Sequence, residues 1–393
     1  MRWLNVQEIY ADGRHNAWPD ICRWRGRWYV AFNCGGGGHG GGHGLCFLSS
    51  ADGVEWVREH ATGPDEWAPS DDATRGGTCP KLLPTEERLY VVFNYYREGV
   101  GDIDAGRRDA LARRWRELGG SPQSFERWAR HHEALHQSGI AWSEDGRTFS
   151  EPRPLLAPGW RVWRPHSFGG RHYLAGYLCH GQSWSLTPEL ERMIPDAEEI
   201  EMFESASLFA SEDGEHWEKA ADVGTDDNDE PDFDFDEDGR ILLVSRTGAS
   251  LKRPAMAYSS EPPYHRWRRF PLSEPLNAPA VRRVRGRWIV AGRGLVEGTS
   301  VPSRFAPGIE SDAWCPTRIW LLDEQTGQLT AQTTLPSWGD GSYPGIEVTE
   351  EGELLVVYYS CSQSTDDKLR MGPGPLPGKM APCSIYLARV SME

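Results

Sequence analysis

The chain has 393 residues, a formal net charge of −16, 38% hydrophobic residues, 43 Gly, 28 Pro and 18 Trp. That apolar content is ordinary for a globular protein and excludes disorder over most of the chain, and the Gly and Pro lack the triplet period of a collagen-like helix. The acidity leaves no general electrostatic basis for binding nucleic acid or an anionic membrane, and no stretch approaches about 18 apolar residues, the length a spanning helix needs.

From the N-terminus, Met1 to Glu8 lacks the apolar core of a signal peptide, so a cytoplasmic location is expected. The eight Cys include no CxxC pair, which argues against a zinc ribbon or a thioredoxin-type site and favours reduced, mostly buried thiols. Length alone suggests two or three domains. A repeat overrides that division. Charged turn residues followed by an apolar strand recur at Gly26–Phe32, Glu87–Phe93, Gly170–Gly176, Gly239–Ser245, Gly286–Gly292 and Gly352–Tyr358. Each copy is a short run of β-branched and aromatic residues entered by a hairpin turn. The starts lie 61, 83, 69, 47 and 66 residues apart, which suits one four-stranded sheet per unit with insertions.

A second pattern interleaves with the first. Ser50–Trp56, Ser143–Phe149 and Ser211–Trp217 all read S-x-D-G-x-x-aromatic, and Ser259–Trp267 is a degenerate fourth copy. Asp and Gly build a tight turn there and the aromatic packs back on it, a structural role. Two segments interrupt the strands. Residues 98–140 place Leu111, Trp115 and Leu118, then Phe125, Trp128, His132 and Leu135, at helical spacing, so a helical insertion is expected in the second repeat unit. A short helix is expected in the acidic stretch 187–204, and a mobile loop over 362–382.

These turns resemble the Asp-boxes of the sialidase-like (BNR-repeat) superfamily, and the likeness runs over nearly the whole chain. It implies an all-β, six-bladed β-propeller formed by one domain, residues 1–393. The six strand repeats support that fold independently. The terminal strand Ser384–Val390 would pair with N-terminal strands and close the ring, leaving no free sheet edge.

In a propeller the site gathers where innermost strands begin and second strands end. The starts are His15-Asn16, Thr78-Cys79, Arg164 to His166, Asp229-Glu230, Asn277 and Ser342-Tyr343. The ends are Asn33-Cys34, Tyr96-Arg97, His180, Arg246, Arg293 and Ser360. Several Arg and His around one Tyr and one Glu make a basic funnel suited to a small anion on an otherwise acidic surface. The resemblance is closest in blades 4 to 6. It implies Tyr343 as nucleophile, Glu230 as the base that takes its proton, and Arg246 and Arg293 as two arginines of a carboxylate clamp. Arg97, Arg164 and His166 are expected to add substrate contacts. A Tyr is a poor nucleophile until a base accepts its proton. Sialidases use Tyr because the reacting carbon already bears a carboxylate, which Arg grips bidentately.

Blades 1 and 2 depart from the pattern. Ala17-Trp18-Pro19 stands where the family has Arg-Ile-Pro, so one clamp arginine is missing, and Gly77-Thr78-Cys79-Pro80-Lys81 replaces an Arg-Asp-Pro-Lys run. The loop Asn33 to Gly44 carries no carboxylate to act as acid; His43, His39 or His15 are the substitutes. The Gly/His loop is open to three readings: a metal site using His39, His43 and His15 or Cys34, an acid/base or substrate contact, or a rim loop. Gly-rich flanks hold ligands poorly and no HExxH run is present, so no metal and no cofactor is expected. The leading expectation is a sialidase-like exo-glycosidase acting on an acidic carbohydrate such as sialic acid. A polysaccharide lyase or other non-sialidase carbohydrate-active enzyme using His and Tyr, and a propeller that binds glycan or protein without catalysis, are the alternatives. The sequence leaves the oligomeric state open.

Overall fold

A computed structural model describes residues 1–37, 43–64, 66–67, 73–97, 109, 112–113, 116, 121–122, 135–157, 159–179, 204–224, 228–247, 254–294, 301–302, 310–311, 316–362 and 382–393. Six four-stranded antiparallel sheets carry the chain. Blade 1 is His15–Trp24, Arg27–Gly36, Gly44–Ser50 and Val57–Ala61; blade 2 is Ala73–Pro84, Leu89–Arg97, Leu135–Ser143 and Arg153–Pro154. Blade 3 is Trp160–Phe168, Arg171–Cys179, Glu204–Ser211 and Glu218–Gly224; blade 4 is Asn228–Phe235, Ile241–Thr247, Met256–Ser260 and Arg268–Pro271. Blade 5 is Leu276–Val284, Arg287–Gly294, Thr317–Asp323 and Gln328–Thr334. Blade 6 joins Trp338–Val348, Leu354–Ser362 and Ser384–Ser391 to the N-terminal strand Arg2–Tyr10.

The innermost strands touch one another in sequence and the last returns to the first, so the blades form a closed six-membered ring. Arg2–Tyr10 pairs with Ser384–Ser391, which ties the two ends of the chain into one sheet as expected. Each repeat strand is the second strand of its blade, covered by neighbouring blades on both faces. That is why its sequence reads as an unbroken apolar run rather than an alternation: Val30, Ala31 and Phe32 are all fully buried, as are Val91, Val92 and Phe93. Among the described residues no helix is long and apolar enough to cross a membrane.

The three S-x-D-G turns share one set of hydrogen bonds. In the second, Ser143 Oγ bonds Asp145 and accepts from Gly146 N at 2.8 Å, while Asp145 Oδ1 accepts from Arg147 N and Thr148 N at 2.8 Å each. The turns at Asp52 and Asp213 repeat this arrangement. The glycines take φ values of 74, 76 and 77°, a left-handed backbone that a side chain would disfavour. Backbone amides donating to Asp145 hold its carboxyl down at about 2. The degenerate fourth copy lacks the carboxylate, and Ser260 Oγ instead donates to Arg266 O at 2.7 Å. Asp145→Ala is expected to cost about 1 kcal/mol in urea unfolding, since two turn amides lose their acceptor, while Asp145→Asn retains most of it.

The expected helical insertion in blade 2 is not supported. Most of residues 98–134 lie outside the described residues, and the span expected to finish the insertion, from Leu135 onward, is instead the third strand of the blade. Leu135, expected on a helical face, pairs with Arg97 across the sheet. The expected helix at 187–204 and the loop 362–382 also fall almost wholly outside the described residues.

Candidate active site

Every innermost strand carries a two-residue bulge at the same place. The skipped residues are Trp18-Pro19, Cys79-Pro80, Trp163-Arg164, Glu230-Pro231, Ala278-Pro279 and Tyr343-Pro344. A bulge leaves its residues out of the ladder, so proline, which has no N–H to donate, fits the second position in five blades. The first residue of each pair turns toward the central axis. Trp18, Cys79, Glu230, Ala278 and Tyr343 all take left-handed backbone, with φ between 48 and 54°. Such conformations each cost on the order of 1–3 kcal/mol and gather at functional sites. Trp18, Cys79, Trp163, Ala278 and Tyr343 share one buried cluster. The Tyr343 ring lies 6.4 Å from Trp18 and 5.9 Å from Trp163, centroid to centroid.

Tyr343 and Glu230 meet on this ring. The Tyr343 hydroxyl donates a short hydrogen bond to Glu230 Oε1, and Glu230 Oε2 accepts from Ala278 N at 3.1 Å. Both side chains are buried, 8% and 6% exposed. Burial pushes the Tyr343 hydroxyl well above its usual value, and the Glu230 charge adds to this while Arg246 and Arg293 oppose it. Burial also raises the Glu230 carboxyl, against the Tyr343 hydrogen bond and the charges of Arg161 and Arg293. Tyr343 therefore holds its proton at rest, beside a carboxylate more basic than an ordinary one.

Arg246 lies with its Nη1 3.4 Å from Glu230 Oε1 and pairs through Nη2 with Asp229. Arg293 stacks over the Tyr343 ring at 5.6 Å and is oriented by Gly341 O, at 3.1 Å from Nε and 2.5 Å from Nη2, and by Asp340 Oδ1 at 3.3 Å. Arg161, which sequence reasoning missed, sits on the innermost strand of blade 3 over the Tyr177 ring, and its charge acts on both Glu230 and Cys79. A signal was available, since Arg161 stands two residues before the axis residue of its blade. Among the described residues, Arg246 Nε, Asp229 Oδ1, Trp163 Nε1 and Ser342 Oγ are buried here without a hydrogen-bond partner. Buried polar atoms are nearly always satisfied, so these four atoms are candidate contacts for a polar ligand.

Arg164 and His166 are not brought to this cluster. Arg164 occupies the second bulge position, where the other blades have proline. Its Nε donates to Asp20 Oδ1 at 2.7 Å, Nη1 to Asp232 Oδ2 at 2.5 Å and Nη2 to Pro344 O at 2.9 Å, with 2% exposure. Its charge is thus paired with two carboxylates inside the hub. His166 lies 3.4 Å from Asp232 and 3.3 Å from Arg282 on the same inner side. Burial and the Arg282 charge lower its affinity for a proton. Lys81 completes the hub, donating to Pro19 O at 3.2 Å and stacking 5.0 Å over Trp163; burial pulls its ammonium down to about 8.

His15 and His43 do come together. His15 Nδ1 lies 3.1 Å from His43 Nε2, and the His43 ring packs 5.3 Å from Trp18. Ala17, in place of the family's arginine, is fully buried. His39 and His180 lie outside the described residues, and nothing is described of the Arg97 side chain. Among the described residues no group of three or more His, Cys, Asp and Glu side chains is placed to hold a metal ion.

No protein-family model and no curated protein sequence matches the chain. Solved structures do match. A protein of unknown function from Dyadobacter fermentans aligns over 100% of this chain and 99% of its own at 14% identity, with a TM-score of 0.65. Trypanosoma rangeli sialidase in complex with the inhibitor DANA aligns over 99% of this chain at 10% identity and a TM-score of 0.57. The same sialidase as a covalent intermediate with 2,3-difluorosialic acid gives 9% identity and 0.56. This chain spans 58% and 57% of the length of those two sialidase chains. The fold is that of a sialidase-like six-bladed propeller.

Proposed function

We propose that the chain is a glycoside hydrolase that removes an acidic sugar, sialic acid or another carboxylate-bearing residue, from the end of a glycan. The observation that carries this reading is the buried hydrogen bond from Tyr343 to Glu230, with Arg246 against the carboxylate and Arg293 over the phenol ring. A sugar whose reacting carbon bears a carboxylate repels an anionic nucleophile. A neutral Tyr that gives up its proton only as it attacks avoids that repulsion. Arg246 and Arg293, with Arg161 as a third cation, supply the charge that holds the substrate carboxylate. Arg161 offsets the arginine missing from blade 1. With no carboxylate in the blade 1 loop, the proton for the leaving oxygen falls to an imidazole, His43 or His15.

The test is hydrolysis of a fluorogenic sialoside and of aryl glycosides of other acidic sugars. Glu230 must be ionised to accept the phenol proton, and burial raises its carboxyl above the ordinary 4.5. Activity should therefore fall as pH drops through a point above 4.5, with the protonated form inactive. Absence of turnover on every acidic glycoside sinks the reading. The contact between His15 and His43 beside Trp18 favours one rival, β-elimination of a uronate polymer with imidazole as base. An ultraviolet-absorbing unsaturated product would identify that reaction.

A further inference from the structure

His15 is held on both ring nitrogens. Its Nε2 lies 3.0 Å from Asp340 Oδ2, its Nδ1 lies 3.1 Å from His43 Nε2, and it is 1% exposed. A carboxylate accepts only, so His15 carries a proton on Nε2, and with both rings neutral its Nδ1 is the acceptor for an N–H on His43 Nε2. The one mobile proton of the pair is then the one gained or lost at His43 Nδ1. Asp340 is fixed in turn, its Oδ1 accepting from Tyr359 OH at 3.1 Å and from Arg293 at 3.3 Å. Gly36 makes room for the outer ring, because a Cβ there would collide with the His43 imidazole. His43 is half-buried.

We propose that Asp340, His15 and His43 form a proton relay whose outer atom, His43 Nδ1, is the acid/base of the glycosidic cleavage. Asp340 and His15 are positioning residues that fix the tautomer and stabilise the imidazolium. The proposal rests on the hydrolase reading above. In the first step Tyr343 Oη bonds the anomeric carbon and passes its proton to Glu230, the glycosidic C–O bond breaks, and the leaving oxygen takes the proton from His43 Nδ1. In the second, water attacks that carbon, its proton goes to His43 Nδ1, the bond to Tyr343 breaks, and Glu230 returns the proton to the phenolate. The sum is hydrolysis, with every protein group restored. Among the described residues, the charged and titratable groups around the relay include Asp340, Arg293, Tyr359, Tyr343, Cys361 and Cys383. Asp340 bonds the His15 imidazole as an anion.

The test has one arm that needs no substrate. In the full-length protein with 15N-labelled histidine, the His15 resonances, assigned by loss in His15→Gln, should show the proton on Nε2. Asp340→Asn should lower the titration midpoint of the His43 ring by about one unit, a tenfold loss of proton affinity. A His15 protonated on Nδ1 in the neutral state, or an unmoved midpoint, overturns the relay. In the second arm, His43→Gln and Gly36→Ala should slow cleavage of an unactivated sialyl disaccharide about 100-fold but an aryl sialoside with a good leaving group less than about tenfold. Equal losses on both substrates overturn the acid assignment. If the wild type cleaves neither substrate, the hydrolase reading fails, and the acid assignment with it, while the resonances still decide the relay.

Discussion

Arg164→Met is expected to destabilise the propeller by about 3–5 kcal/mol, a large effect for one substitution, because it strands two buried carboxylates. Arg164 joins Asp20 of blade 1 to Asp232 of blade 4, and also donates to Pro344 O of blade 6, so the loss falls on several blades at once. The carboxylates are themselves bound into the ring, Asp20 Oδ2 accepting from Leu82 N and Asp232 Oδ2 from Val281 N, each at 2.8 Å. Burial alone would push the Asp232 carboxyl up, but the Arg164 charge and the His166 hydrogen bond outweigh it and hold it well below the usual range. A carboxyl depressed in the folded state stabilises above its unfolded value, and the contribution is lost as pH falls toward the folded one. Urea unfolding near neutral pH should show the full penalty. Adding Asp20→Asn and Asp232→Asn to Arg164→Met should recover part of it, since the two carboxylates that Arg164 had paired are then neutral.

Tyr343→Phe is expected to lower kcat by at least about 10³-fold, about 4 kcal/mol in the barrier, with little change in fold. The phenylalanine ring keeps the packing against Trp18, Trp163 and Tyr359, so only the hydroxyl is lost. Glu230→Gln should give a comparable loss by a different route, because the amide cannot take the proton. Its acid limb should vanish from the pH profile of the residual activity. Unfolding midpoints measured alongside separate a chemical loss from a structural one.

Much of the fold was legible because its signals are local. The second strands read as six apolar runs behind hairpin turns, and three S-x-D-G turns have the hydrogen bonds their sequence implies. The spacing of Leu111, Trp115 and Leu118 suggests a helix, yet the same periodicity carries Leu135 into helix where it is strand. Helical periodicity is ambiguous where a strand is short and apolar. In the site, the register of blades 4 to 6 placed Glu230, Arg246, Arg293 and Tyr343 together. Arg164 departs from expectation because being at a strand start does not say which way a side chain points. Asp340 left no sequence signal, since its bond to His15 spans 325 residues and only ring closure brings the two together.

The account turns on Tyr343 as a nucleophile, and the most direct measurement is peptide mass mapping after incubation with 2,3-difluorosialic acid, which Trypanosoma rangeli sialidase holds as a covalent intermediate. The predicted result is a single glycosyl adduct on the Tyr343 peptide, absent from Tyr343→Phe. An unlabelled Tyr343, or an adduct on another side chain, would contradict it.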